Sequence, residues 1–267
     1  MSTVVFLGGG RITSAMVAGL RLAKTRHRLL VHDRNPDKLR DLKKRYVVAV
    51  DHDLKSAVGQ ADVLIVAVRP SSVREVLRAV GNAIRSMDRP PLAVSLAAGV
   101  PLRVLSKLVG PPVQWARAMP SPLCRIGRGL TAVTLPRTSS RASRKRVRDL
   151  FAGFGQVVEI PENKFDVFTV IYSSSHGYHA LATLARTGQA AGLDRKMALL
   201  ASAHALADGI IAWRDGKNSL ESLLEEAVTP GGIAAATVNN MDAAGYGRAM
   251  RQGVAAGLRR ARANAGK

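Results

Sequence analysis

Up to Pro161 the chain alternates short apolar runs with longer segments whose apolar residues recur at helical spacing. Thr3–Leu7 is a nearly continuous apolar run that ends in glycines, as a buried parallel strand should. Ile12–Leu22 then places Ile12, Met16 and Leu20 on one side of a helix. Arg28–His32 predicts a second strand, and Asp33-Arg34-Asn35-Pro36 a turn into a helix containing Leu39 and Leu42. Further strands are predicted at Val47–Val50, Asp62–Val68, Leu92–Leu96, Val113–Ala116, Leu130–Leu135 and Gln156–Ile160. Helices are predicted at Asp53–Gly59, Ser71–Met87 and Pro101–Leu108. Strands that alternate with helices in this way imply βαβ units and a parallel sheet.

After Pro161 the strand signals stop. Lys164–Leu184, Arg195–Trp213, Ser219–Ala227 and Ile233–Arg262 all carry helical periodicity, punctuated by Gly188, Gly192 and Pro230-Gly231-Gly232. The expected fold class is α/β: an N-terminal Rossmann domain with a doubly wound, mainly parallel sheet over residues 1–160, then an all-α domain over 161–267. No sequence repeat is evident.

Composition narrows the class. Of the 267 residues, 47% are apolar, so the chain buries a proper core and is not disordered. No apolar run reaches the roughly 20 residues that span a bilayer, and the start lacks the pattern of a signal peptide. The single cysteine, Cys124, excludes an intramolecular disulfide. Together these point to a cytoplasmic protein without a membrane partner. The formal charge of +21 raises the question of nucleic acid. The basic residues are spread along the chain, however, densest at Arg141–Arg146 and Arg259–Arg262, with no zinc-finger spacing, aromatic signature or basic region running into heptads. The expectation is solvated helix faces without a nucleic-acid partner, and a field that attracts phosphorylated cofactors and acidic substrates.

Gly8-Gly9-Gly10-Arg11-Ile12-Thr13 joins the first strand to the first helix. Gly8 permits the tight turn, Gly10 lets the backbone approach a pyrophosphate, and the helix start offers free N–H groups to the anion. Thr13 stands where the fingerprint has Gly or Ala. After the second strand, Asp33 would read a ribose 2′-hydroxyl and so favour NAD, or act as a helix N-cap. Arg34 beside it would read a 2′-phosphate and favour NADP. The basic surroundings tip the expectation to NADP(H), with NAD(H) as the second choice. Cys124 reads as a small core residue rather than a nucleophile, because no activating partner is visible. His204 and Trp213 read as packing or surface residues, and no cluster has metal-ligand spacing.

Several motifs together resemble the pyrroline-5-carboxylate reductase family, over almost the whole chain. Ala61–Pro70 resembles its strand ending in Val-Lys-Pro, and Ser95–Val100 its Ser-x-x-Ala-Gly-Ile segment. Arg117-Ala118-Met119-Pro120-Ser121 resembles Arg-x-Met-Pro-Asn, with Gly127-Arg128-Gly129 at the family spacing. Thr229-Pro230-Gly231-Gly232 resembles Ser-Pro-Gly-Gly. The resemblance implies a Rossmann domain followed by helices that intertwine in a homodimer, with higher assembly open, and an active site where the nicotinamide meets the partner's helices. It implies hydride transfer from NADPH to the C=N carbon of a small cyclic imino acid. It extends the cofactor-binding set of Gly8, Gly10, Arg11, Ile12, Thr13, Arg34 and Asn35 to Val68, Arg69, Pro70, Ala97 and Ala98. The substrate set it implies is Met119, Ser121, Ser174, Ser175, Gly231 and Gly232.

The departures lie in the substrate half. The family's Gly-Ser-Gly-Pro-Ala-Tyr reads Ser173-Ser174-Ser175-His176-Gly177-Tyr178 here, and the asparagine of its Met-Pro-Asn is Ser121. Where the family carries a threonine thought to bind substrate and assist protonation, this chain has Ile233 and Ala234, whose side chains donate nothing. The candidate catalytic groups are therefore His176, whose ordinary pKa lies near neutrality, with Tyr178 and Thr229. Gly231 and Gly232 offer backbone N–H groups to a substrate carboxylate. The expectation is an imine reductase with an altered substrate site. The alternative is a dinucleotide-binding sensor or assembly protein that has lost catalysis.

Overall fold

A computed structural model of the chain describes residues 1–85 and 87–266. Its strands form one eight-stranded sheet. They are β1 (Thr3–Leu7), β2 (Arg28–His32), β3 (Ala49–Asp51), β4 (Val63–Val66), β5 (Leu92–Ser95), β6 (Gln114–Pro120), β7 (Leu130–Thr134) and β8 (Gln156–Glu159). The order is β3-β2-β1-β4-β5-β6-β7-β8. All neighbours pair in parallel except β6 and β7, which are antiparallel. The chain winds outward from β1 through β2 to β3, then returns to β4 and winds the other way. That reversal opens a crevice beyond the C-terminal ends of β1 and β4.

The helices between strands are α1 (Arg11–Leu22), α2 (Pro36–Arg45), α3 (Leu54–Gly59), α4 (Val73–Ile84), α5 (Leu102–Leu108) and α6 (Arg141–Ala152). Side chains alternate across the sheet. Val4 and Phe6 of β1 join a core with Met16, Leu20, Leu39 and Phe151 from α1, α2 and α6. Val5 and Leu7 face the opposite core with Val58, Leu77 and Leu105 from α3, α4 and α5. This explains why the parallel strands read as continuous apolar runs: both faces are covered.

Several element boundaries differ from the sequence-based expectation. Val47 is exposed, and β3 starts at Ala49 because Val48 N–H closes a tight turn onto Tyr46 O. β4 stops at Val66, and Pro70–Ser72 forms a 3-10 turn ahead of α4. β6 runs to Pro120, longer than the apolar pattern shows, because the charged Arg117 interrupts that pattern but pairs in register with Thr134. The basic run Arg141–Arg146 belongs to α6, whose N-cap Ser140 accepts from Ser143 N–H.

After β8 every element is a helix: α7 (Glu162–Ile171), α8 (Ser175–Ala190), α9 (Arg195–Asp215), α10 (Leu220–Ala227), α11 (Ile233–Ala243) and α12 (Tyr246–Ala265). The helix expected over 164–184 is broken between α7 and α8, where the Ser173 and Ser175 hydroxyls bond each other at 2.7 Å. Side chains of this kind compete with the helical backbone for its hydrogen bonds. The helix expected over 233–262 breaks before α12 at Gly245, whose φ is +93°.

The chain divides into two compact units, Met1–Ile171 with Ala256–Lys267, and Tyr172–Ala255. The end of α12 belongs to the first. Asn264 Nδ2 donates to Ala98 O at 3.2 Å, and a Cβ on Gly99 would lie 2.3 Å from Ala261 O, so only glycine allows that approach. In the second unit few residues are buried, chiefly Ala185, Ala198, Ser202 and Ala235. Leu200, Ile210, Trp213, Leu224, Met241 and Met250 remain exposed. No helix among the described residues is long and apolar enough to cross a membrane.

Candidate functional site

The crevice at the strand reversal is a cleft of about 1460 Å³ at the glycine turn between β1 and α1. Gly8 has φ +107°, and a Cβ there would meet Ala67 O at 2.7 Å, so the turn requires glycine. Around a Cβ at Gly10 there is nothing within 4 Å, so the backbone is open to a ligand. Gly10 is the N-cap of α1 and gives it no side-chain cap. The first helical bond of α1 runs from Ser14 N–H to Gly10 O. The amides of Arg11, Ile12 and Thr13 therefore have no helical acceptor, which suits an anion.

Asp33 lines the cleft but is not the helix N-cap that the sequence offered as its second role. Gly9 N–H donates to its Oδ2 at 2.7 Å and Asn35 N–H to its Oδ1 at 2.8 Å. The helix N-cap is Asn35 instead, accepting from Asp37 N–H at 2.9 Å. Asp33 thus ties the glycine turn to the loop after β2. Burial works to raise its pKa, but the Asn35 and Gly9 amides and the nearby Lys38 ammonium outweigh it and hold the carboxyl below its ordinary value of 3.8. Thr13 is fully buried, and its hydroxyl donates to Gly8 O, bracing the turn from beneath.

Gly8, Gly10, Arg11, Ile12, Arg34, Val68 and Arg69 all line the cleft. Thr13, Asn35, Pro70, Ala97, Ala98, Met119 and Ser121 lie outside that lining. Ala97 is core, Ala98 O is taken by Asn264, and Ser121 caps the 3-10 turn Pro122–Ile126 through Leu123 N–H at 3.1 Å. The sequence reading missed Lys38, Arg45, Tyr46, His52, Glu75 and Arg125, which also line the cleft. Only Lys38 had a signal, since it follows the ribose-reading position by one helical turn; the others converge from separate elements. With Arg11, Arg34 and Arg69 these cations outnumber Asp33, Asp41 and Glu75, so the cleft is set for a multiply charged anion.

Midway along β6, Arg117 is buried. Its Nη1 pairs with Glu162 at 3.0 Å, its Nη2 with Asp166 at 2.7 Å, and its guanidinium lies 4.3 Å from the Phe165 ring centre. Glu162 also accepts from Leu102 N–H at the start of α5. The Arg of the Arg-x-Met-Pro segment therefore anchors α7 to the sheet. Cys124 is buried, and desolvation pushes its thiol up to about 11, so it is no nucleophile.

In the second unit, Ser174 is the α8 N-cap and makes no side-chain cap. Ser174 and Ser175 are exposed, His176 is half-buried, and Tyr178 is 65% exposed. Thr229 is exposed, and its carbonyl accepts from Gly232 N–H at 3.0 Å. Gly232 is thereby removed from the expected donor pair. The start of α11 lies next to it. Gly232 caps that helix without a side chain, and the first helical bond runs from Ala236 N–H to Gly232 O. The amides of Ile233, Ala234 and Ala235 have no helical acceptor. The two residues that lack side-chain donors thus still present backbone ones.

Comparison with known proteins agrees with this architecture. Residues 3–99 match the family profile described as NADP oxidoreductase, coenzyme F420-dependent, and residues 162–264 match the one described as pyrroline-5-carboxylate reductase dimerisation. A pyrroline-5-carboxylate reductase of Mycobacterium tuberculosis is 30% identical over 271 residues, covering 92% of this chain and 91% of that protein. One from Synechocystis is 29% identical over 95% of each. The crystal structure of Plasmodium falciparum pyrroline carboxylate reductase with NADP bound superposes with a TM-score of 0.87 at 20% identity, over 99% of this chain and 98% of that one. With relatives aligned along nearly its full length and both halves matched, the chain is an oxidoreductase that belongs to the pyrroline-5-carboxylate reductase family.

Proposed function

We propose that the chain is a homodimeric, NADP(H)-dependent reductase of a cyclic imino acid, either 1-pyrroline-5-carboxylate or a near analogue. The observation that carries this reading is the glycine turn, whose helix start is uncapped and opens into a cation-lined cleft. A reduced nicotinamide bound there would supply the hydride. The chain's own work is positional. The α1 amides hold the pyrophosphate, and Arg34, Lys38 and Arg45 favour the extra phosphate of NADP(H) over NAD(H). Residues 1–160 serve as the nucleotide half, and 161–267 as the substrate and dimer half.

A substrate carboxylate is met by the free amides of α11 with the hydroxyls of Ser174, Ser175 and Thr229; Met119 and Ser121 are substrate residues by the family resemblance alone. A protonated iminium carries its own proton. Where one must be delivered, the His176 imidazole and the Tyr178 hydroxyl are the available groups. The exposed apolar side chains of the second unit fit burial against a second copy, since so few of its own residues are covered. The place of action is the cytoplasm, where Cys124 stays reduced.

The test is NADPH oxidation by the purified protein with pyrroline-5-carboxylate and a small panel of cyclic imines. Turnover with any of them supports the reading. NADPH binding without turnover on all of them favours a non-catalytic sensor or assembly protein. Ile233, 89% exposed and without a donor in its side chain, is the observation on that side. Ala234→Thr then asks whether a missing hydroxyl limits proline formation. A sharp rise says it does, and no change removes the emphasis on that position.

A further inference from the structure

We propose that Glu75 tunes coenzyme preference by competing with the 2′-phosphate of NADP(H) for Arg34. This rests on the nicotinamide-binding reading above. Arg34 leaves the loop after β2, and Glu75 sits on the first turn of α4; both line the cleft. Arg34 Nη1 meets Glu75 Oε1 at 2.9 Å. The side chains are 74% and 67% exposed, so the pair is solvated and readily exchanged. The contact is also single: one guanidinium nitrogen on one carboxylate oxygen. A phosphate dianion offers a two-pronged contact and more charge, so it displaces Glu75.

Among the described residues the ion pair of Arg34 is the one with Glu75. Asp33 beside it is already held by the Gly9 and Asn35 amides and by Lys38 at 3.5 Å. A 2′-phosphate that takes Arg34 in the two-pronged way through Nη1 displaces Glu75, whose carboxylate then stands beside the phosphate's own negative charge. NAD(H), with a neutral 2′-hydroxyl, leaves the pair intact. Glu75 thus acts as a built-in penalty on the phosphorylated coenzyme alone, and it keeps that preference from becoming absolute. A carboxylate in a first helical turn also interacts favourably with the helix dipole. That role alone would touch stability and not the choice of coenzyme.

The experiment titrates NADPH and NADH by fluorescence into the full-length protein, Glu75→Gln, Arg34→Ala and the double variant, at one fixed ionic strength. Glu75→Gln is expected to tighten NADPH by about two- to fivefold and to leave NADH nearly unchanged. In the Arg34→Ala background the same substitution should lose most of its effect. Equal tightening of both coenzymes, no change in NADPH, or a full effect without Arg34 would each overturn the proposal. If the unaltered protein binds neither coenzyme, the underlying functional reading fails instead. If it binds both and only the selectivity prediction fails, that reading stands.

Discussion

Replacing Gly8 and Gly10 separately by alanine should separate the folding role of the glycine turn from its binding role. Gly8 has φ +107°, and its Cβ would stand 2.7 Å from Ala67 O. Ala67 cannot retreat, because its amide donates to Leu7 O at 2.8 Å and continues the β1–β4 ladder. A left-handed alanine costs about 1–2 kcal/mol, and backbone strain of this kind costs of order 1–3 kcal/mol. Gly8→Ala should therefore lose about 2–4 kcal/mol, lowering the thermal midpoint by roughly 5–15 °C for a chain of this size. Gly10 differs in both respects. Its φ of −79° and ψ of −175° suit any residue, and its surroundings are open. Gly10→Ala gives up only a glycine cap, below about 1 kcal/mol. The added methyl, however, takes room that a pyrophosphate needs to reach the α1 amides. Loss of one charge-assisted hydrogen bond, about 1.5–3 kcal/mol, weakens NADPH by about 10- to 100-fold. Circular-dichroism melts and NADPH titration read the two effects independently. Should Gly10→Ala bind NADPH as well as the parent protein, the turn is not the anion seat.

Three further outcomes follow from the geometry. Asp33→Ala frees the Gly9 and Asn35 amides, and NADPH affinity should fall by about tenfold. Since its folded pKa lies below 3.8, the contribution of Asp33 is complete above that pH and is lost as pH falls through the folded value. Acid titration of the melting midpoint, flatter in the variant below that pH, checks it. Arg117→Ala strands Glu162 and Asp166 beside a buried gap, and loss of such a partner costs about 3–5 kcal/mol; a melt that shifts by less than about 3 °C would refute this. Cys124 should resist thiol reagents at neutral pH until the protein unfolds. With a folded pKa near 11 against an ordinary 9.0, its stabilising effect is full below 9 and declines between 9 and 11. Rapid labelling of the native protein would contradict the assigned burial.

The local pattern of the chain determined the parallel strands and the glycine turn. Thr3–Leu7, Arg28–His32 and the glycines at 8 and 10 needed only nearest neighbours to declare themselves, because apolar periodicity and turn chemistry are local properties. The helical character after Pro161 was legible for the same reason. Where contacts span the sequence, the pattern was silent or misleading. Arg117 looked like the end of a strand until Glu162, Asp166 and Phe165, from a helix far along the chain, balanced its charge. Asp33 could have been the helix N-cap, yet Asn35 takes that place and the Asp33 carboxylate accepts from backbone amides of two loops. Gly232 looked like a free donor, yet its amide is turned onto Thr229, while the amides of Ile233 and Ala234 are left without a helical acceptor. Glu75 carried no signal at all, because its meaning comes from facing Arg34 across the cleft. Residue type and spacing record what a side chain can do; which partner claims it depends on distances that only the folded sheet and its helices create.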